Sequence, residues 1–394
     1  MAEVHGEVAS GFEAVQDAFS ANFDRHDEVG AAFSLYHRGR KVVDLWGGVA
    51  DQTTGRPWAE DTLQLVFSTT KGATAACAHL LAQRGELDFD APVSEYWPEF
   101  KAAGKDELPV RWLLSHRGGL PVVDGALSPE EALGWDPIVD ALAAQRPLWE
   151  PGTAHGYHAL TYGWLVGEVV RRISGRSLGR FFADEIAGPL DLEFWIGLPE
   201  EQEPRVSRLI EFQTLGLASA QGLDTSNLSS LPEPVRELAT AFLDPNSVTN
   251  RALNVTTAPL NYNSREVHAA EVPAANGICT ARSLACFYAG LIGEVDGVRI
   301  LTPEAVATAT VEQSAGRDEV LIVPTRFGLG YFLPSSFSPM AGPASFGHAG
   351  AGGSLGFADP DTGVAFGYVM NKMQANLAGD ARTLNLIAAV ESSI

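Results

Sequence analysis

Segments that read as β-strand lie only in the first and last thirds of this chain, and a long helical middle separates them. Near the start, Ala31-Ala-Phe-Ser-Leu-Tyr36, a turn at His37-Arg-Gly-Arg40 and Lys41-Val-Val-Asp-Leu-Trp46 form a hairpin signal. Near the end, strand patterns cover Phe327 to Leu333, Gly353 to Ala358 and Val364 to Asn371. From Leu87 to about Leu243 the pattern is mostly helical, broken by Pro and Gly, with long irregular connections between Leu198 and Val235. Gly11 to Phe23, with Phe12, Val15, Phe19 and Phe23 on one side, and Leu377 to Val390 read as terminal helices. Strands that are far apart in the chain must pair to bury their faces, so an α+β fold is expected. One antiparallel sheet, flanked by the terminal helices, takes residues 1–90 and 250–394, and a mainly helical domain, 91–249, is inserted in it. A length of 394 residues suits two such domains, with a cleft between them.

The chemistry begins at Phe67-Ser-Thr-Thr-Lys-Gly72, which opens an Ala-rich helix that runs through Cys77 and Leu80 to a stop at Arg84-Gly85. At a helix N-terminus, unpaired N–H groups and the positive end of the dipole favour negative charge, which suits a serine nucleophile and the oxyanion it generates. Lys71 follows Ser68 by three residues, on the same helix face. An amine held there away from water loses its preference for the charged form and can take the hydroxyl proton. Ser-x-x-Lys alone is equally the text of a capped helix with a solvated lysine; two further stretches decide between the readings.

In Trp149-Glu-Pro-Gly-Thr-Ala-His-Gly-Tyr-His-Ala159, a Pro-Gly turn leads Tyr157 to the start of a helix. A tyrosine there is either a packing residue or a phenol that exchanges a proton with serine and leaving group, its ionised form supported by a nearby lysine. His155 and His158 lack a third ligand, so no metal is expected. In Phe346-Gly-His-Ala-Gly-Ala-Gly-Gly-Ser354, a strand meets a cluster of small residues that lets a backbone N–H approach a substrate carbonyl. Gly352-Gly-Ser-Leu-Gly356 also matches the Gly-x-Ser-x-Gly elbow of α/β-hydrolases. That elbow needs a later histidine and a following helix; no histidine comes after His348, and a strand pattern comes after Ser354, so the match is a decoy.

A net charge of −22 argues against nucleic acid and anionic membrane surfaces as partners. The start shows no basic region followed by an apolar core, and the best apolar run, Leu284 to Ile292, is too short to span a bilayer. Three cysteines, Cys77, Cys279 and Cys286, are odd in number and without metal spacing, as expected of a protein in the reducing cytoplasm.

Taken together, Ser68-Thr-Thr-Lys71, Tyr157-His-Ala159 and His348-Ala-Gly350, in this order and at these separations, resemble the three active-site motifs of the serine β-lactamase and penicillin-binding-protein superfamily. The nearest branch is the class C-like serine hydrolases that include the family VIII carboxylesterases. Arg84-Gly-Glu-Leu-Asp-Phe-Asp-Ala-Pro-Val93, Leu113-Leu-Ser-His-Arg-Gly-Gly-Leu-Pro121 and Ala274-Ala-Asn-Gly-Ile-Cys-Thr-Ala-Arg282 are also similar to family segments. The resemblance implies a β-lactamase-like fold, Ser68 as nucleophile and Lys71 with Tyr157 as the proton-handling pair. It further implies the N–H groups of Ser68 and Ala351 as oxyanion hole, His348 and Gly350 as positioning residues, and no cofactor. Two departures bear on substrate. The second motif commonly ends in Asn and here ends in Ala159; the third commonly begins with Lys and here begins with His348. Both remove polar handles for an anionic amide, and a neutral ester loses nothing. The expected activity is therefore a serine carboxylesterase acting on small, short-chain neutral esters, with a β-lactamase or DD-peptidase-like amide hydrolase, or an acyltransferase, as alternatives on the same machinery.

Overall fold

The computed structural model describes residues 3–125, 127–211 and 233–394. Its main sheet is antiparallel throughout and is built from the two ends of the chain. β1 (Val4–Val8), β2 (Gly30–His37) and β3 (Arg40–Asp51) come first; β4 (Ser314–Arg317) and β5 (Pro324–Phe327) form a separate hairpin; β6 (Phe346–Ala349), β7 (Leu355–Asp359) and β8 (Val364–Met370) complete the sheet. The order is β1-β3-β2-β8-β7-β6, so the early hairpin and the late meander meet where β2 pairs with β8, from Ala31 opposite Met370 to His37 opposite Val364.

Alternation along the strands explains the layers. In β2, Phe33 and Leu35 face one apolar cluster while Ala32 and Tyr36 face another. The first face is covered by α1 (Glu13–Arg25) and α5 (Ala381–Glu391), which supply Val15, Phe19, Leu386, Ile387 and Val390. The second is covered by α4 (Ala281–Ile292), the helix that contains the Leu284–Ile292 run. α4 comes close because β8 carries Gly367 there: a Cβ would lie 2.5 Å from the Ala281 carbonyl oxygen. With both faces buried, β8 is apolar along its whole length rather than alternating.

Beyond α4 lies the helical part of the chain. α2 (Thr70–Gln83) is buried from Thr70 to Leu81, which its small Ala and Gly side chains permit, and it ends where Gly85 takes a φ of +74°. It packs against α3 (Thr161–Ser174), whose apolar face is equally buried. Some elements depart from expectation. The expected strand over Phe327 to Leu333 ends at Phe327; Gly330, at φ +88°, turns the chain, and only Phe332 rejoins the sheet, in a single bridge to Gly347. The last helix begins at Ala381, not Leu377, because Asp380 caps it with a box that includes Thr383. β1, which no pattern announced, has exposed side chains and is a strand by virtue of its pairing with β3. Of the long connection expected between Leu198 and Val235, residues 212–232 lie outside the described residues. Among the described residues, no helix is long and apolar enough to cross a membrane.

Candidate active site

Ser68 stands at the end of a tight turn from the short strand Gln64–Leu65 into α2. Phe67 holds φ +45°, a conformation that a bulky residue adopts at a cost. Several contacts hold it there. Its ring meets Tyr262 edge-on at 4.9 Å, and its carbonyl accepts from the Thr70 hydroxyl, which itself accepts from the Gly277 N–H at 2.8 Å. The preceding carbonyl, Val66, accepts from Ser354 Oγ at 2.8 Å. Ser354 is fully buried, which removes the elbow reading physically: its hydroxyl ties the third motif to the turn that carries Ser68.

Lys71 is wholly buried, and its Nζ has three oxygen neighbours: Ser68 Oγ at 3.0 Å, the Ala159 carbonyl at 2.7 Å and the Ala274 carbonyl at 3.0 Å. A carbonyl can only accept. Both therefore take an N–H, and the remaining tetrahedral position of the nitrogen points at the Ser68 hydroxyl. Burial holds Lys71 well below the ordinary lysine range. In the neutral amine, the position facing Ser68 is the lone pair. Ala159, which offers no polar side chain, thus contributes through its main chain.

Tyr157 lies four residues before α3 rather than at its first turn, in an aromatic box. Its ring stacks on Phe327 (6.2 Å), Phe332 (5.9 Å) and His348 (6.0 Å), with His116 at 5.1 Å and Lys71 Nζ 4.8 Å above the ring centre. Burial pushes the phenol up, and contact with the Ser68 hydroxyl offsets only part of this. Burial therefore works against both a phenolate on Tyr157 and an ammonium on Lys71. The backbone of Tyr157 is clamped by Asp318, whose Oδ1 accepts from the N–H groups of Tyr157 (2.9 Å), Val320 (2.8 Å) and Leu321 (2.8 Å). Next to it, the His116 loop holds the second motif: His116 Nδ1 accepts from the His158 N–H, and its carbonyl accepts from the Gly156 N–H. His158 and His155 are committed to Gly156, Leu120 and Thr325, not to a shared centre.

The third motif divides its work. His348 is buried behind Tyr157; its Nδ1–H reaches the Ala349 carbonyl, burial keeps it well below the ordinary histidine range, and it does not line the cavity over Ser68. Gly350 donates its N–H to Ser354, so it is not free for an oxyanion; its contribution is steric, since a Cβ would lie 2.2 Å from both Val66 O and Ser354 Oγ. Among the described residues, the N–H groups of Ser68 and Ala351 have no internal acceptor, and both residues line the same cavity. The turn after Ala351 is fixed by Arg382, which donates to the Gly352 carbonyl at 2.6 Å and is itself paired with the buried Glu28 and the partly buried Asp380.

The cavity over Ser68 holds about 660 Å³ and is walled by Leu160, Leu209, Phe242, Val255, Leu260 and Phe337 among others. Sequence reasoning missed the Ala274 carbonyl and Asp318. The first has no side-chain signature, and the second acts across 161 positions of chain.

Residues 15–390 match the family model described as Beta-lactamase. The chain is 37% identical over 379 residues to the esterase/beta-lactamase LipL of Mycobacterium tuberculosis (strain ATCC 25618 / H37Rv), an alignment that covers 95% of this chain and 84% of that protein. A crystal structure of a family VIII carboxylesterase, 38% identical, superposes with a TM-score of 0.85 over the full length of both chains. A penicillin-binding protein homologue from Caulobacter crescentus, 36% identical, does so at 0.86, again over the full length of both.

Proposed function

From the premise that the chain belongs to the Beta-lactamase family and is a serine hydrolase with esterase relatives, we propose that it is a carboxylesterase that cleaves neutral esters through an acyl-enzyme on Ser68. The observation that carries this reading is the seating of Lys71: two carbonyls hold two of its N–H bonds, and the third direction of Nζ meets Ser68 Oγ at 3.0 Å.

In the first step Lys71 takes the Ser68 proton as Oγ forms a bond to the ester carbonyl carbon. The carbonyl oxygen becomes an anion held by the N–H groups of Ser68 and Ala351, in a cavity where such donors need no reorganisation. Collapse of the tetrahedral intermediate breaks the bond to the alcohol, whose oxygen takes the phenol proton of Tyr157, and the proton on Lys71 replaces it. Water then repeats the sequence on the acyl-enzyme and releases the acid. The seating of the Lys71 nitrogen, with its third direction on Ser68 Oγ, and the opposite displacements of the two groups, amine down and phenol up, support Lys71 as the base and Tyr157 as the acid.

The name of the LipL relative joins esterase and β-lactamase, so β-lactam hydrolysis is the second reading. Labelling with a fluorophosphonate, read as intact mass, tests the nucleophile: one adduct is expected on the natural protein and none on Ser68→Ala. Turnover of p-nitrophenyl butyrate measured beside nitrocefin separates the readings, and faster nitrocefin turnover would reverse their order.

A further inference from the structure

The walls of the cavity over Ser68 say more about substrate than the catalytic groups do. Resting on the Ser68 esterase reading, we infer that the substrates are neutral esters carrying a bulky apolar acyl or alcohol group, and that the site selects against any substrate bearing a carboxylate. About 660 Å³ is room for a ligand far larger than an acetate or butyrate ester, within the range of pockets that enclose drug-sized molecules. Leu160, Leu209, Phe242, Val255, Leu260 and Phe337 make much of the wall apolar, with Asn254, Thr256, Ser336, Gln374 and Asn376 as neutral polar groups among them, so a short chain would leave apolar wall in contact with water. This moves the expected size upward from the short chains that the sequence suggested.

Charge supplies the second half. Among the described residues the only charged side chain lining the cavity is Glu211, a carboxylate; no lysine or arginine lines it. The lysine nearest the chemistry, Lys71, is buried and spent on Ser68 and two carbonyls. A substrate carboxylate would lose water in a cavity whose described lining offers it no cation, and would share that cavity with the Glu211 carboxylate.

A matched set of esters with one leaving group tests this: p-nitrophenyl acetate, butyrate and hexanoate, and the mono-p-nitrophenyl ester of adipic acid, which is the hexanoate with a terminal carboxylate. Each buried methylene is expected to raise kcat/KM about two- to fourfold, so hexanoate, with four more than acetate, should exceed it by at least about tenfold. The adipate ester should fall about ten- to a hundredfold below hexanoate. That ratio should narrow in Glu211→Gln and narrow further in Ser336→Lys, which sets an ammonium at an exposed position of the lining. Acetate preferred over hexanoate, or adipate ester turned over as fast as hexanoate, with all turnover still abolished by Ser68→Ala, would overturn this inference and leave the esterase reading standing. Turnover that survives Ser68→Ala would remove both.

Discussion

Asp318 offers the sharpest test of how the site is held. Its Oδ1 accepts from three buried N–H groups, those of Tyr157, Val320 and Leu321, and its Oδ2 accepts from Thr325 Oγ1 at 3.2 Å. Asp318→Ala leaves three buried N–H donors without partners, while the Thr325 hydroxyl keeps its contact with His155. Each costs about 1–3 kcal/mol, and relaxation with some water entry brings the total to about 3–5 kcal/mol, the range seen when one member of a buried charged group is removed. Asp318→Asn keeps an acceptor oxygen of the same shape and should cost about 1 kcal/mol. Function should suffer in a diagnostic way. Because one of the three donors belongs to Tyr157 itself, loss of the clamp lets the phenol drift, and a displacement of about 1 Å costs roughly a hundredfold in rate. A p-nitrophenolate leaving group hardly needs protonation, whereas an ethanol leaving group does. The Ala variant should therefore lose more kcat on an ethyl ester than on the p-nitrophenyl ester of the same acid, with urea midpoints measured in parallel. A variant that unfolds at the natural midpoint, or that loses both esters equally, would refute the clamp. Asn as damaging as Ala would show that charge, and not acceptor geometry, is what matters.

The same contacts predict further outcomes. Lys71→Ala should lower kcat by about 10²–10⁴, the usual worth of a general base. Since burial depresses Lys71 and its neutral form is the base, kcat/KM of the natural enzyme should be full above that depressed pKa and fall tenfold per pH unit below it; a profile rising toward acid would contradict this. Gly350→Ala places a Cβ 2.2 Å from the Val66 carbonyl oxygen, which is backbone and two residues from Ser68; we expect a loss of about 1–3 kcal/mol in stability by thermal melt and at least a hundredfold in kcat. All three thiols are free and buried, with Cys286 pushed up to about 11 and Cys77 and Cys279 pushed up further by burial; Ellman's reagent at pH 8 should find none in the native protein and three in urea.

Whatever depends on near neighbours could be read from the chain. The three-residue step from Ser68 to Lys71, the stop at Gly85 and the hairpin of β2 and β3 are properties of short segments, where helix and strand periods translate directly into shared faces. The decoy at Ser354 could be set aside because a strand pattern, not a helix, comes after it, but nothing local says that its hydroxyl belongs to Val66, 288 positions away. Phe327 to Leu333 read as one strand because its apolar residues alternate suitably; Gly330 bends it, and the bend is what puts Phe327 and Phe332 on either side of a turn against Tyr157.

The order of residues thus names the candidate reacting groups, since a hydroxyl, an amine and a phenol are side chains and carry letters. Only the folded molecule decides in which state they rest and what holds them, because those answers come from carbonyls and N–H groups that every residue shares. Lys71 meets the Ala274 oxygen across 203 positions, a contact that orients its nitrogen, while the loss of water around it is what holds the amine below the ordinary lysine range.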